Sequence, residues 1–220
     1  CLEIIPGHLG YEREMLRHLE GNDGDWLGSF KTLPNSLQLL MVHSLQSLAF
    51  NHTISNRISD GLSLVEPEIG DIVAPTKGNG RIDVSKMALV SHNNLERCKR
   101  NCRLGRLSVT GPLPGSELSV AHGKPGEAET KAIEKTGLES VNWRVKSIPR
   151  LSTSGTRRAL SVPFTDFTVE EATDIPESSE TSMKWQGSPA EGDRWHPEGA
   201  SLRLSFTPVS YTHLTLPTSR

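Results

Sequence analysis

The stretch NSLQLLMVHSLQSLAFNHTISNRISDG, residues 35–61, limits what this chain can fold into more than any other. Asn35 with Gln38 three positions later has the form of a helix-start capping box, whose amide side chains satisfy orphan N–H groups of the first turn. Gly61 suits a left-handed stop. The spacing predicts one helix of about 25 residues, some 37 Å long. Leu37, Leu40, Met41, Ser44, Leu45 and Leu48 recur at i, i+3 and i+4, while Leu39, Val42, Ala49, Phe50 and Ile54 load a second face. A helix apolar around most of its circumference is expected to run through a core. Its polar residues, among them His43, Gln46, Asn51, His52, Asn56 and Arg57, are then satisfied inside the protein or presented at a cleft. His43, Gln46 and Asn51 interrupt the run before the ~20 residues that a bilayer span requires, which excludes a membrane helix.

A chain of 220 residues suffices for one large domain or two small ones, and 35% hydrophobic with 23% charged residues describes a soluble, somewhat polar globular protein. The net charge of −2 would argue against a nucleic-acid binder if it were evenly spread. Between Arg97 and Arg106, however, lie five basic residues and no acidic one, and Val141–Phe164 holds five more (Arg144, Lys146, Arg150, Arg157, Arg158), again with none acidic. Asp166–Glu198 reverses the balance, with nine acidic residues against Lys184 and Arg194. Such asymmetry permits a basic face for a polyanion on a nearly neutral chain. Three cysteines and no signal peptide imply a reducing compartment without a disulfide framework. Cys98 and Cys102 fall at i, i+4 of a predicted helix, but no further Cys or His pair completes a four-ligand metal set, so they read as small core residues.

Taken in order, Tyr11, Met15, Leu16 and Leu19 place an apolar stripe on a short helix ending at Gly21, and Asp25 is placed to cap a second short helix through Phe30. GDIVAP (70–75) reads as a strand ended by Pro75, KGNGR (77–81) as a turn and MALV (87–90) as a second strand. Asn93 and Glu96 form another capping box, opening a helix through Leu104 that Gly105 stops. RLSVT (106–110) is a strand followed by a rigid turn, GPLPG (111–115). Gly126–Thr136 is a helix with Glu127 and Glu129 early and Lys131 and Lys135 late, as the helix dipole favours. STSG (152–155) is a polar turn, TRRALSVPF (156–164) alternates as a strand, the acidic segment 171–199 is a long connection, and ASLRLSF (200–206) is a last strand, which risks an exposed edge if it lacks a partner. The sum is an α+β fold: a mixed sheet with a long central helix.

No phosphate-binding loop, dinucleotide fingerprint, H-E-x-x-H or paired CxxC occurs, and the eight histidines are scattered. The strongest site candidate in the residues themselves is Gly155 with Arg157 and Arg158. Backbone N–H groups of a glycine turn and planar guanidinium forks are what phosphate oxygens require. The competing reading has one arginine pointing outward and the other paired with a carboxylate of the acidic segment. The face formed by Arg97, Arg100, Arg103 and Arg106 is a second candidate, although a basic helix face is most often only solvated.

HSLQSLAFNHTISNRI (43–58), GD (70–71), TGPLPG (110–115), PGEAE (125–129) and PRLSTSGTRRALSVP (149–163) occur in the same order as in the tRNA pseudouridine synthase D family, and the chain resembles its archaeal members over nearly all of residues 1–207. LRLSF (202–206) is similar to the strand before the family's terminal LPxGSYAT-type segment. PVSYTHLTLPTSR (208–220) instead resembles a translated sequencing adapter and is excluded from the fold. The resemblance implies an isomerase, without metal or organic cofactor, that converts a uridine of tRNA, typically position 13, to pseudouridine. An aspartate meets a flipped-out nucleotide, the glycosidic bond breaks, and the uracil turns and rejoins the ribose through carbon. In the family that aspartate lies in a GxKDxxAxT-like motif upstream of the region matched, beyond a QRFG-like motif, and neither is in this sequence. No catalytic residue is therefore assigned, and the chain alone is expected to be inactive; Asp71 is a strand-start residue.

By the same resemblance, Asn51 and Arg57 match an FNxxxxxR helix pattern, and Gly155, Arg157 and Arg158 match the segment re-entering the catalytic domain. Together with Arg97, Arg100, Arg103 and Arg106 they are the expected RNA-facing residues, Arg157 and Arg158 serving either RNA or the bracing of the site. The expected organisation is a helical part (1–61), the family's inserted α+β domain (62–163) and return strands of the catalytic domain (164–207). The expected context is a cytoplasmic monomer acting on tRNA, away from membranes. The alternative is a non-catalytic RNA-binding or scaffold module that reuses the same domain.

Overall fold

The computed structural model describes residues 5–77, 81–172 and 201–208, and the chain divides into two compact units, Cys1–Ser161 and Val162–Arg220. In the first unit, α1 (Gly10–Gly21) and α2 (Trp26–Lys31) precede the long α3 (Asn35–Ser59). Asp25 caps α2 as expected, its carboxylate accepting the Gly28 N–H at 2.8 Å. The α3 helix ends as the glycine requires: Gly61 sits at φ +72°, its N–H donating to Ile58 O and the Leu62 N–H to Arg57 O.

The start of α3 differs from expectation. Pro34 holds the cap position and no side chain caps the helix. Gln38 instead turns inward, donating to Leu33 O at 2.6 Å while its Oε1 accepts from Arg150 Nη2 at 2.6 Å. A second capping box also fails to form. Asn94, not Asn93, stands at the start of α4 (Leu95–Arg103), and its amide closes the preceding turn by accepting the Ser91 N–H and donating to Leu89 O. At α3 the side chain expected to complete the cap is drawn to partners inside the fold, and at α4 the neighbouring asparagine takes the turn instead.

β1 (Ile72–Pro75), β2 (Ala88–Leu89), β3 (Leu107–Leu113) and β4 (Thr156–Ala159) form one sheet in the order β2-β1-β3-β4, every pair antiparallel. The α+β class stands, with antiparallel pairing in place of the expected mixed sheet. The rigid turn expected at 111–115 is also replaced: β3 continues through Gly111 and Pro112 to Leu113. The pairing explains how a proline is tolerated there. The Leu160 N–H donates to Val109 O, so positions 109, 111 and 113 point their backbone groups at β4, and Pro112 points to the side where the pairing with β1 has already ended at Val109. β4 is likewise shorter than the run 156–164.

α5 (Gly123–Lys135) starts three residues earlier than predicted and gives way to Gly137 at φ +68°. It packs against α3, and α3 in turn lies on β3. Phe50, Val73, Val90, Cys98, Cys102, Val109 and Leu160 make the main apolar cluster, and Ala49, Leu138 and Trp143 a second. α3 thus feeds both clusters, but from one side only. Its buried residues are Gln38, Gln46, Ala49, Phe50, Thr53 and Arg57, whereas Leu40, Met41, Leu45 and Leu48 are exposed. The expectation of a helix running through the core with most of its circumference is corrected: the polar-rich stripe faces in and the leucine stripe faces out.

In the second unit, β5 (Phe164–Ala172) pairs antiparallel with β6 (Ser201–Pro208), which gives the last strand a partner. Of the turn expected at 77–81, residues 78–80 lie outside the described residues, but the Lys77 N–H donates to Arg81 O at 2.6 Å and Thr76 bridges Ile82 across it; most of the acidic segment 171–199 also lies outside the described residues.

Candidate nucleic-acid interface

Two arginines are buried by the fold, each against a carboxylate from a different element. Arg57, in the last turns of α3, meets Asp71 just before β1 with Nη1 to Oδ1 at 2.6 Å and Nη2 to Oδ2 at 3.1 Å, and also donates to Ser63 O. Asp71 accepts the Glu68 N–H as well, which ties the loop after α3 to the sheet. Both partners are buried, and Arg57 Nε is left without an acceptor among the described residues.

Arg157 on β4 uses all five of its N–H donors. Its Nε donates to Thr110 Oγ1 and its Nη2 to Thr110 O, Nη1 reaches Ser119 O and Glu129 Oε2, and Nη2 also meets Glu129 Oε1. Glu129 Oε2 additionally accepts the Ala121 N–H at 2.9 Å, and Thr110 Oγ1 donates to Ile72 O at 2.6 Å. One bidentate pair therefore joins β4, β3, β1, the 119–121 loop and α5. The partner expected in the acidic segment is instead Glu129 of α5. With all five donors engaged inside the fold, Arg157 has none left for a phosphate.

Glycines set the approach of the surrounding chain. A Cβ at Gly115 would lie 1.9 Å from Gly155 N, so the 111–115 and 152–155 segments touch backbone to backbone. Gly155 itself takes φ +83°, a conformation costly for any other residue. Arg158, next along β4, is half-buried, with its guanidinium carbon 5.3 Å from the centre of the Phe50 ring. That stacking sets the FN segment of α3 against β4, the strand that follows Gly155.

A group of exposed cations lies on and just after α4. Cys98 and Cys102 face the core, which turns Arg97, Arg100 and Arg103 outward, and exposed Arg106 follows at the start of β3. Burial raises both thiols, Cys102 to about 11, so neither is available as a thiolate. Arg103 pairs with Glu66 at 2.7 Å, a hydrogen bond that lowers the Glu66 pKa and raises that of Arg103, while Arg97, Arg100 and Arg106 have no ion pair among the described residues. Lys124, in the first turn of α5, lines one cavity with Lys99, Glu68, Ile69 and Leu95. Sequence reading missed Lys124, because its proximity to Lys99 depends on how α5 docks. Asn51 is exposed on α3. Among the described residues no group of three or more His, Cys, Asp or Glu could hold a metal ion, and no helix is long and apolar enough to cross a membrane.

An α+β unit built on a four-stranded antiparallel sheet, braced by buried arginine–carboxylate pairs and carrying cations on one outer helix, is a scaffold suited to a polyanionic ligand. Its relatives have that character by name. The model of the family tRNA pseudouridine synthase D (TruD) matches residues 1–179, and the chain belongs to that family. It is 36% identical over 159 residues to the "Probable tRNA pseudouridine synthase D" of Methanosarcina barkeri, covering 72% of this chain and 36% of the relative. Against the protein of the same description from Thermococcus sibiricus it is 34% identical over 162 residues, 74% of this chain and 38% of the relative. The crystal structure of the "Putative tRNA pseudouridine synthase D (TruD)" from Methanosarcina mazei superimposes with a TM-score of 0.73 at 31% identity, covering 94% of this chain and 43% of that one. The chain thus spans little more than a third of the length of the curated relatives it matches.

Proposed function

We propose that this chain is part of a tRNA pseudouridine synthase, acting in the cytoplasm as a monomer, and that it contributes an RNA-facing scaffold while the catalytic aspartate is supplied by sequence outside these 220 residues. The carrying observation is the family match over residues 1–179, together with a similarity that covers only about a third of each relative. The reaction isomerises a uridine in tRNA, typically position 13. The base must leave the stack before its glycosidic bond can be reached, and the phosphates flanking it must be held while it does.

Arg97, Arg100 and Arg106 are placed for that second task. They are exposed and unpaired among the described residues, and Arg103 joins them through a surface ion pair that screening makes weak. Lys99 and Lys124 extend the same basic surface. Arg57 and Arg157, whose guanidinium groups are buried in ion pairs, serve RNA only indirectly by fixing the elements that carry Gly155, Arg158 and Asn51. Residues 62–163 are read as the family's inserted domain and 164–207 as strands returning to its catalytic part.

The test is pseudouridine formation on tRNA transcripts by the reading frame extended to the family's length. Conversion of one uridine, lost when the upstream aspartate becomes asparagine and absent for the 220-residue chain alone, is the expected result. An extended protein that binds tRNA and leaves every uridine unchanged makes this a non-catalytic RNA-binding module. In the extended protein, Arg97→Glu with Arg100→Glu is expected to weaken tRNA binding uniformly across tRNA sequences. The slope of log affinity against log salt should become shallower by about 1 for each phosphate no longer neutralised. Unchanged affinity and slope would remove α4 from the interface.

A further inference from the structure

Leu37, Leu40, Met41, Leu45 and Leu48 lie on one side of α3, opposite the stripe that feeds the core. Four of them are well exposed: Leu40 57%, Met41 41%, Leu45 42% and Leu48 45%. From Asn35 to Asn56 the helix carries no Asp, Glu, Lys or Arg at all. An exposed apolar stripe with no charged residue along its own helix is unusual on a finished protein surface and marks a face that is covered.

The chemistry narrows what covers it. A nucleic acid has nothing to pair with on an uncharged leucine stripe, and a helix lying on a bilayer needs basic residues on its polar face. A second copy packing in register would use the seam Leu37, Met41, Ser44, Leu48, Asn51 and Ser55, half of which is polar, and it would lack flanking charges to set partner and register. The remaining occupant is chain of the same protein, and the family supplies it: the relatives carry nearly two thirds of their length outside the span matched here. We propose that the leucine stripe of α3 is the seat on which the rest of the synthase chain packs, so that α3 becomes a helix buried on both sides at the junction of the two parts. The proposal rests on reading the chain as part of a synthase.

Thiol labelling of the reading frame extended to family length tests it, with Cys1 replaced by serine and any further cysteines in the extension likewise removed. The native Cys98 and Cys102 are buried and stay silent at neutral pH. Leu48→Cys is expected to react with a maleimide at least tenfold more slowly than Thr130→Cys, an exposed position of α5. Met41→Cys gives the same readout if Leu48→Cys does not fold. Equal rates at the stripe and at position 130 overturn the proposal. Protection that grows with protein concentration also overturns it, in favour of a second copy. The readout is separate from catalysis: a protected stripe in a protein that modifies no uridine removes the synthase reading alone, whereas a reactive stripe in an active synthase removes only this one.

Discussion

Arg157 shows how much of this fold rests on single buried polar groups. With every donor engaged and Glu129 at its fork, removal of the guanidinium leaves a buried carboxylate with no counter-charge. Arg157→Met is expected to cost about 3–5 kcal/mol in urea unfolding, because the loss of one partner of a buried pair is far costlier than the pair is stabilising. Arg158→Met, which gives up the cation–π stacking on Phe50, should cost about 1 kcal/mol. The adjacent arginines look alike in sequence; alternation along β4 sends one to Glu129 and the other to the Phe50 ring. Cys98 and Cys102 behave as core residues throughout. Since burial lifts Cys102 to about 11, iodoacetamide at pH 8 should leave both unmodified in the native protein and label them on unfolding.

At the scale of elements, the contact between α1 and α2 is tuned by charge. Asp25 accepts from His18 Nε2 at 2.9 Å and from the Gly28 N–H, and these bonds, His18 first, lower its pKa below the ordinary 3.8. The unfolded chain therefore takes up this proton at a higher pH than the native protein. The contribution is complete above the unfolded value and is lost as pH falls through the lower native one. Asp25→Asn should flatten the decline of melting temperature below about pH 4, measured against the parent chain. The long α3 teaches a different lesson. Period and end signals located its span and its glycine stop, yet both of its apolar stripes fit a core equally well in sequence. Packing chose the one containing Phe50 and Thr53, because Arg57, Gln38 and Gln46 on that side find Asp71, Arg150 and Pro114 O as partners.

For the whole molecule, the two apolar clusters lie entirely within the first unit. Ending the chain after Ser161 is therefore expected to preserve a cooperative thermal transition reported by the near-UV signal of buried Trp143, within a few degrees of the parent. Loss of that transition would show that the β5–β6 hairpin is needed for folding. Local signals in the sequence determined the spans of the helices to within a few residues, the α+β class, the glycine stops at 61 and 105 and the inward cysteines of α4, since each depends on a residue and its near neighbours. The succession of motifs likewise determined the family. Only the tertiary structure decided which arginine is buried, that Glu129 and not the acidic segment receives it, that β3 runs on through Pro112, and that the leucines of α3 face outward. Those outcomes depend on partners 14 to 112 residues away, and a pairing energy across such distances exists only once the chain has brought the groups together.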